Sequence, residues 1–96
     1  MKPSTAFENN VDAIRGVLAR YSVRNPRIFG SAARGNDQEG SDLDLLIDPL
    51  PGTTLMDLCG LQHDLEQLLG VAVDVRTPQE INNRYRDKVL EGARAF

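Results

Sequence analysis

Apolar residues recur at helical spacing in the first part of the chain. Between about Ser4 and Tyr21 they stand three or four positions apart and fall on one face of a helix: Phe7, Val11, Ile14, Leu18 and Tyr21. Thr5 followed by Glu8 has the spacing of a capping box, in which each side chain bonds the other residue's backbone N–H. The pattern predicts one amphipathic helix over this segment.

A second helix is indicated in the middle of the chain. Thr54 and Asp57 repeat the capping-box spacing, and Gly70 suits a helix end, so we expect a helix that runs to about Leu69. A broad apolar stripe predicts its buried face: Leu55, Leu58, Cys59, Leu61, Leu65, Leu68 and Leu69. His63 lies off the stripe and is expected in solvent.

The C-terminal segment opens with another helix start. Thr77 is a suitable cap, Pro78 occupies the first helical position, and Glu80 follows three residues after the cap. Asn82 and Asn83 then weaken the helix, because asparagine is a poor helix former. We predict a short helix, a break, and a last helix over roughly residues 84 to 95.

Three segments are predicted as β-strands by their composition and alternation: residues 27–29, 42–48 and 71–76. Residues 22–26 are predicted as a connector before the first strand. In the second strand apolar residues alternate with Asp42, Asp44 and Asp48, although Leu46 interrupts the polar face. The order of elements predicts an α/β (α+β) fold, a small three-stranded mixed sheet backed by helices on one face.

The composition of the 96 residues fits one small domain, predicted to span residues 1–96. The net charge is −3, with 11 basic and 14 acidic residues, so no basic face for long nucleic acid is expected. The single cysteine excludes an internal disulfide, and no segment resembles a signal peptide or a membrane span. We therefore expect a cytoplasmic protein that binds neither long nucleic acid nor membranes.

Two carboxylates on the second strand form the candidate site. Asp42 and Asp44 point to the same face, with their Cα atoms about 7 Å apart, and they repel each other unless a cation lies between them. Gly30 and Ser31 form a turn that opens a short helix, whose free backbone N–H groups suit a phosphate. A divalent metal ion bound to a polyphosphate would suit both parts, because the carboxylates bind the metal ion and the turn binds the phosphate. The plainer alternative is a solvated strand end.

Asp74 stands alone among valines on the third strand, where an ionised carboxylate needs a partner. If this strand lies beside the second, all three acids meet on one face and suit one or two Mg²⁺ ions, which prefer oxygen ligands. The alternative is a structural ion pair of Asp74 with Arg76 or Arg27. Asp48 lies next to a proline, and a role in loop structure is the better interpretation.

The spacing of Gly30-Ser31, ten residues, Asp42 and Asp44 resembles the signature of the nucleotidyltransferase superfamily that includes DNA polymerase beta. Further similarity to the minimal nucleotidyltransferases is found at Ala33-Arg34-Gly35, Ser41 and Asp74. Those stand-alone domains often act as the antitoxin to a HEPN-type ribonuclease toxin. The resemblance is strong over residues 28–76, and in the flanking helices it concerns the layout only.

The resemblance implies a polymerase beta-like fold. It also implies transfer of a nucleoside monophosphate from ATP or another NTP to an acceptor hydroxyl, with AMP from ATP as the first expectation. It implies that Asp42, Asp44 and Asp74 are catalytic and hold two Mg²⁺ ions, with Asp74 assisting deprotonation of the acceptor. The implied nucleotide-binding positions are Gly30, Ser31, Arg34 and Ser41. The implied acceptor is a tyrosine of a HEPN-type toxin, with which the chain would form a hetero-oligomer.

Two of these positions keep a second interpretation. Arg34 either reaches the phosphates or pairs with Asp42 or Asp37 and holds the loop. Ser41 is better interpreted as a turn or cap residue than as a ligand, and its hydroxyl would then steady the Asp42 carboxylate.

Three functions remain open from the sequence. The first is the transferase, and the second is an antitoxin that neutralises its toxin by binding alone. The third is transfer to a small molecule, which we expect to need an acceptor-binding domain beyond 96 residues. An intact set of three acids favours the transferase, because binding alone does not require converging carboxylates.

Overall fold

The computed structural model describes residues 1–96 and contains a four-stranded mixed sheet. Its strands are β1 (Val23–Phe29), β2 (Leu43–Pro49), β3 (Val73–Arg76) and β4 (Arg94–Ala95). They lie in the order β3-β2-β1-β4, with β3 parallel to β2 and the other neighbours antiparallel. The predicted mixed α+β architecture is confirmed, but the predicted number of strands was wrong by one.

Five α-helices and one short 3₁₀ helix surround the sheet: α1 (Pro3–Asn9), α2 (Val11–Leu18), α3 (Gly30–Arg34), α4 (Leu55–Leu69), α5 (Asn83–Gly92) and the 3₁₀ helix Pro78–Glu80. The longest of them, α4, has 15 residues. No helix combines the length and the apolarity needed to cross a membrane.

The hydrophobic core lies between one face of the sheet and the helices α1 to α4. Alternate residues of β2 and β3 enter it, because successive side chains of a strand point to opposite faces. Its completely buried members are Ala6, Ile14, Leu43, Leu45, Ile47, Leu61 and Leu65. Leu46 is equally buried and points to the opposite face, where the 3₁₀ helix contacts β2. That second face carries the polar residues of β2 and β3.

The N-terminal segment is two helices rather than the predicted single one. Asn10, with φ −135° and ψ 22°, leaves helical geometry and separates α1 from α2. The predicted capping box at Thr5 is absent, because α1 already begins at Pro3. Its start is instead tied to a distant loop, since the backbone N–H of Ser4 donates to Asp37 at 2.8 Å. This bond holds the pKa of the Asp37 carboxyl below its usual range.

The sheet differs from the prediction at β1 and β4. Residues 23–26, predicted as a connector, belong to β1, whose pairing with β2 shifts register between Arg24 and Arg27. Asn25 has a positive φ of 55° at this irregularity, which interrupts the alternation that marks a strand. β4 consists of Arg94 and Ala95 alone, and two residues are too few for any pattern to indicate a strand.

α4 begins and ends where it was predicted to, but its buried face is narrower than predicted. Thr54 and Asp57 form the capping box, with hydrogen bonds of 2.9 and 3.1 Å, and Gly70 ends the helix with a φ of 70°. The buried members of the stripe are Leu61, Leu65 and Leu69. Leu55 is 77% exposed, and Cys59 is exposed rather than in the core, because α4 packs on α2 and β3 through one narrow face.

The predicted short helix, break and last helix are present at the C-terminus, but the predicted end of the last helix near residue 95 was wrong, because residues 94–95 form a strand. Thr77 and Glu80 form a capping box around the 3₁₀ helix, and the Asn82 side chain accepts a hydrogen bond from the backbone of Arg84 at 2.9 Å. The last helix, α5, ends at Gly92, where the chain turns to pair as β4. α5 contacts α3 and β1 and so lies near the point where β1 leads into α3.

Candidate active site

Strand pairing brings the predicted acids to one face of the sheet. Phe29, the last residue of β1, pairs with Asp44, and Asp44 pairs in turn with Asp74 of β3. Directly paired residues on neighbouring strands lie about 5 Å apart and point to the same face. Asp42 is exposed and immediately precedes β2. The parallel register of β2 and β3 is therefore what makes Asp44 and Asp74 direct neighbours.

Gly30 fits against Asp44 because it has no side chain. Its φ of 72° lies in the left-handed region that favours glycine. A Cβ atom at this position would collide with the Oδ2 atom of Asp44. The backbone of the turn after β1 thus touches the central carboxylate, and the Gly-Ser turn and the acids form one site.

Asp44 lies where a negative charge is disfavoured. Burial raises its pKa, and the carboxylates of Asp74 and Asp42 raise it further, to about 6. Arg76 and Arg34 act in the opposite direction without cancelling the shift. At neutral pH the three acids repel one another around a half-buried position, and a bound cation relieves such a cluster.

Asp74 is paired with a residue of its own strand. The Nε atom of Arg76 donates to both carboxylate oxygens of Asp74 at 3.0 Å, and Arg76 also lies 3.9 Å from Glu80. The structural ion pair considered above is thus present, with Arg76 rather than Arg27. It does not remove Asp74 from the site, because the Asp74 charge still raises the pKa of Asp44.

The three side chains have the chemistry of a magnesium site without forming a closed ligand set. All three offer carboxylate oxygens, the ligands that Mg²⁺ prefers. Asp42 and Asp44 take part in none of the salt bridges of the chain. No three Asp, Glu, His or Cys side chains stand together as a metal-binding group. A metal ion would therefore compete with Arg76 for the carboxylate of Asp74.

The other predicted nucleotide-binding residues have different surroundings. Ser31 is half-buried in the first turn of α3. Arg34 is exposed and makes no salt bridge, so neither of the acid pairs considered for it is formed. The Oγ atom of Ser41 accepts a hydrogen bond from the backbone N–H of Gln38 at 3.1 Å, which confirms the expected turn role. The expected contact with Asp42 was wrong, because no hydrogen bond joins this hydroxyl to that carboxylate.

A cavity of about 360 Å³ opens beside Gly30. Arg34 of α3 contributes to one wall, and Tyr85, Lys88 and Val89 of α5 contribute to another. None of these α5 residues was predicted from the sequence to belong to the nucleotide site. A tyrosine and a lysine one turn apart on a helix are too common to indicate a site, and only the packing of α5 on α3 and β1 brings them beside the Gly-Ser turn.

Residues 11–96 match the family model described as the nucleotidyltransferase domain. A protein of Methanocaldococcus jannaschii, provisionally named protein adenylyltransferase MJ0435, is 39% identical over 77 residues, which are 80% of this chain and 83% of that one. Protein adenylyltransferase MntA of Thermococcus cleftensis is 41% identical over 71 residues, 74% of this chain and 72% of that one. The chain therefore belongs to the nucleotidyltransferase family.

Solved structures agree with this assignment. A protein provisionally described as a minimal nucleotidyltransferase superposes with a TM-score of 0.82 at 38% identity, covering 100% of this chain and 95% of that one. A chain of a toxin–antitoxin complex with AMP-PNP gives a TM-score of 0.76 at 18% identity, over 90% of this chain and 71% of that one. The second likeness shows the fold alone. The predicted minimal nucleotidyltransferase fold is confirmed.

Proposed function

We propose that this nucleotidyltransferase uses Mg²⁺ to transfer AMP from ATP to a tyrosine hydroxyl of a HEPN-type partner toxin. The observation that carries the proposal is the position of Asp44, which has Asp42 and Asp74 as charged neighbours and Gly30 against its carboxylate. The names of the relatives support a protein acceptor. The occurrence of the same fold in toxin–antitoxin complexes supports a toxin as the partner of a hetero-oligomer.

Asp42, Asp44 and Asp74 are the residues that would hold two Mg²⁺ ions. Bound there, the metal ions would neutralise phosphate oxygens and lower the pKa of the acceptor hydroxyl. Asp74, oriented by its bonds from Arg76, would assist removal of the hydroxyl proton. The acceptor oxygen forms a bond to the α-phosphorus of ATP as the bond to the bridging oxygen breaks and pyrophosphate leaves.

The nucleotide-binding part of the proposal assigns the phosphates to the turn after β1. Gly30 lies against Asp44 and Ser31 follows it in the first turn of α3, and backbone N–H groups there would contact the β- and γ-phosphates. Arg34 has no competing ion pair and lies on the cavity beside this turn, which favours its phosphate-binding interpretation over the loop-holding one.

The rival function is an antitoxin that neutralises its partner by binding alone. Adjacent carboxylates on paired strands destabilise each other in the absence of a cation. A surface that only covers a partner does not need this arrangement, so the acid cluster favours catalysis.

The test combines the chain, Mg²⁺, ATP and the product of the neighbouring reading frame, with intact-mass measurement of that partner. We expect the partner to gain one or more AMP units, and we expect no gain with the Asp44→Asn variant or with EDTA. Neutralisation of the toxin without any gain in mass, equally by the native chain and by Asp44→Asn, would establish the binding function and refute the transferase.

A further inference from the structure

The cavity between α3 and α5 has a charge pattern that the motif residues do not explain by themselves. Arg34 faces it from α3 and Lys88 from α5, and none of its seven lining residues is acidic. Neither cation takes part in a salt bridge of the chain. Two unpaired cations on the walls of one cavity repel each other, so the arrangement favours a bound anion.

Gly30 connects this cavity to the acid cluster. Gly30 lines the cavity, and a Cβ atom on Gly30 would meet the Asp44 carboxylate, so the cavity and the acids share this residue. A ligand that begins at the acids and passes Gly30 therefore enters the space between Arg34 and Lys88. Along this path the protein charge changes from three carboxylates, which suit metal-bound phosphate, to two cations, which suit phosphate directly.

We infer that Lys88 binds the β- and γ-phosphates of the nucleotide together with Arg34, so that α5 forms the second wall of the nucleotide site. The inference rests on the proposed function, because it takes a nucleoside triphosphate as the substrate. The terminal phosphates carry more negative charge than one guanidinium neutralises, and Arg34 is the only cation that the motif places on this cavity. A lysine ammonium on a flexible stem supplies the second charge.

The arrangement of α5 supports a ligand on this side of the helix. The residues that line the cavity are Tyr85, Lys88, Val89 and Gly92, spaced at i, i+3, i+4 and i+7, so one face of α5 is turned to it. Tyr85 remains 54% exposed, which leaves this face open to a ligand.

The test compares Lys88→Gln with Lys2→Gln in Mg²⁺-containing buffer, by calorimetric titration with ATP, AMP and inorganic tripolyphosphate. Lys2 is the matched control, because it is the only other lysine of the chain and is exposed at the start of α1, away from the cavity. We expect Lys88→Gln to raise the Kd for ATP and for tripolyphosphate about tenfold, since a hydrogen bond to a charged group is lost. The Kd for AMP should change less than about twofold.

Three further measurements make the result specific. Lys88→Arg, which keeps the charge, should bind ATP within about threefold of the native chain. The ratio of the ATP and GTP affinities should be the same in Lys88→Gln and the native chain, because the lysine contacts phosphate and not base. Thermal unfolding should be unchanged in Lys88→Gln, since Lys88 is exposed.

Equal ATP affinities of Lys88→Gln and Lys2→Gln would overturn the inference, and so would a loss of AMP affinity as large as the loss for ATP. These outcomes are separable from a failure of the proposed function. If the native chain transfers AMP while Lys88→Gln binds ATP normally, only the inference fails. If Lys88 discriminates ATP from AMP as expected but no partner is modified, only the proposed transfer fails.

Discussion

Two aspartates of β2, four residues apart on the same face, lie in opposite electrostatic environments. Asp48 accepts hydrogen bonds from Asn25 at 3.0 Å and from Arg27 at 3.2 Å, and these partners hold its pKa below the usual range. Asp44 has two acids as neighbours instead, and together with burial they raise its pKa to about 6. The charge of Asp48 is therefore compensated by a partner within the fold, and the charge of Asp44 is not.

We infer from this difference a separate role for each end of β2. At Asp48 the acid compensates Arg27, a buried cation that would be costly without a partner. Asp44, four residues away on the same strand, has no such partner and is repelled by Asp42 and Asp74. A fold that pairs one acid and leaves its neighbour among like charges is typical of a site for a charged ligand.

The largest effect is expected from exchanging the carboxylate of Asp44 for an amide. Asp44→Asn should lower AMP transfer at least about a thousandfold, because several kcal/mol of metal-mediated charge stabilisation are lost. It should leave the metal-free fold intact, or slightly more stable, since the repulsion with Asp42 and Asp74 is relieved. Transfer of α-labelled ATP to the partner and chemical unfolding without Mg²⁺ measure the two effects.

Asp48→Asn is the matched control and should do the reverse. It should keep transfer within about threefold and lower the free energy of unfolding by about 1 kcal/mol, because Arg27 loses a charged hydrogen-bond partner. If Asp48→Asn abolished transfer, or if Asp44→Asn retained it, the division of β2 into a structural and a functional end would be wrong.

The functional end of β2 was the more predictable of the two. Asp42, Asp44, Gly30 and Ser31 are close in sequence, and the alternation of a strand with the turn before α3 is enough to gather them. Asp74 required an assumption, that its strand lies beside β2, which the parallel pairing with Asp44 confirms. Their roles in metal and nucleotide binding remain predictions.

Gly30→Ala is expected to have the next largest effect, because its new Cβ atom would meet the Asp44 carboxylate. Alanine at a φ of 72° costs about 1 to 2 kcal/mol, and the new Cβ would also collide with the Asp44 carboxylate. We expect a loss of about 3 kcal/mol or more in the free energy of unfolding and severe loss of transfer, read by thermal melts and the labelling assay.

Gly35→Ala separates the two causes. Gly35 has nearly the same φ, 75°, but nothing lies within 4 Å of its missing Cβ. The variant should lose only about 1 to 2 kcal/mol and keep transfer. Equal losses at Gly30 and Gly35 would show that backbone strain alone, and not contact with Asp44, explains the need for glycine.

What the sequence could not predict lies where tertiary contacts decide. Asp48 was assigned to loop structure, whereas its role depends on Arg27 and Asn25 of a strand segment whose bulge hides its pattern. Lys88 reaches the cavity beside Gly30 only through the packing of α5 on α3. Cys59 was expected in the core because it lies in the apolar stripe of α4, but it is exposed. The width of the buried face of a helix depends on the neighbouring elements, which the stripe does not reveal.

The smallest predicted effect is a pH dependence that the two aspartates drive in opposite directions. A carboxyl whose pKa is raised by folding stabilises the protein where it is protonated, so the Asp44 contribution is present near pH 4 and is lost as the pH rises through about 6. We expect the metal-free chain to lose about 1 to 2 kcal/mol relative to Asp44→Asn over this range, less than the roughly 3 kcal/mol of an unscreened two-unit shift.

The lowered pKa of Asp48 acts the other way, because its contribution to stability is lost as the pH falls. Asp48→Asn should therefore remove part of the loss of stability at acid pH and leave the loss near pH 6 unchanged. Urea unfolding of the three chains at pH 4 to 7, with and without Mg²⁺, measures both contributions. Mg²⁺ should restore the stability of the native chain at pH 7 and should not affect Asp44→Asn; a metal-free difference between these two chains that stays constant with pH would mean that Asp44 has an ordinary pKa.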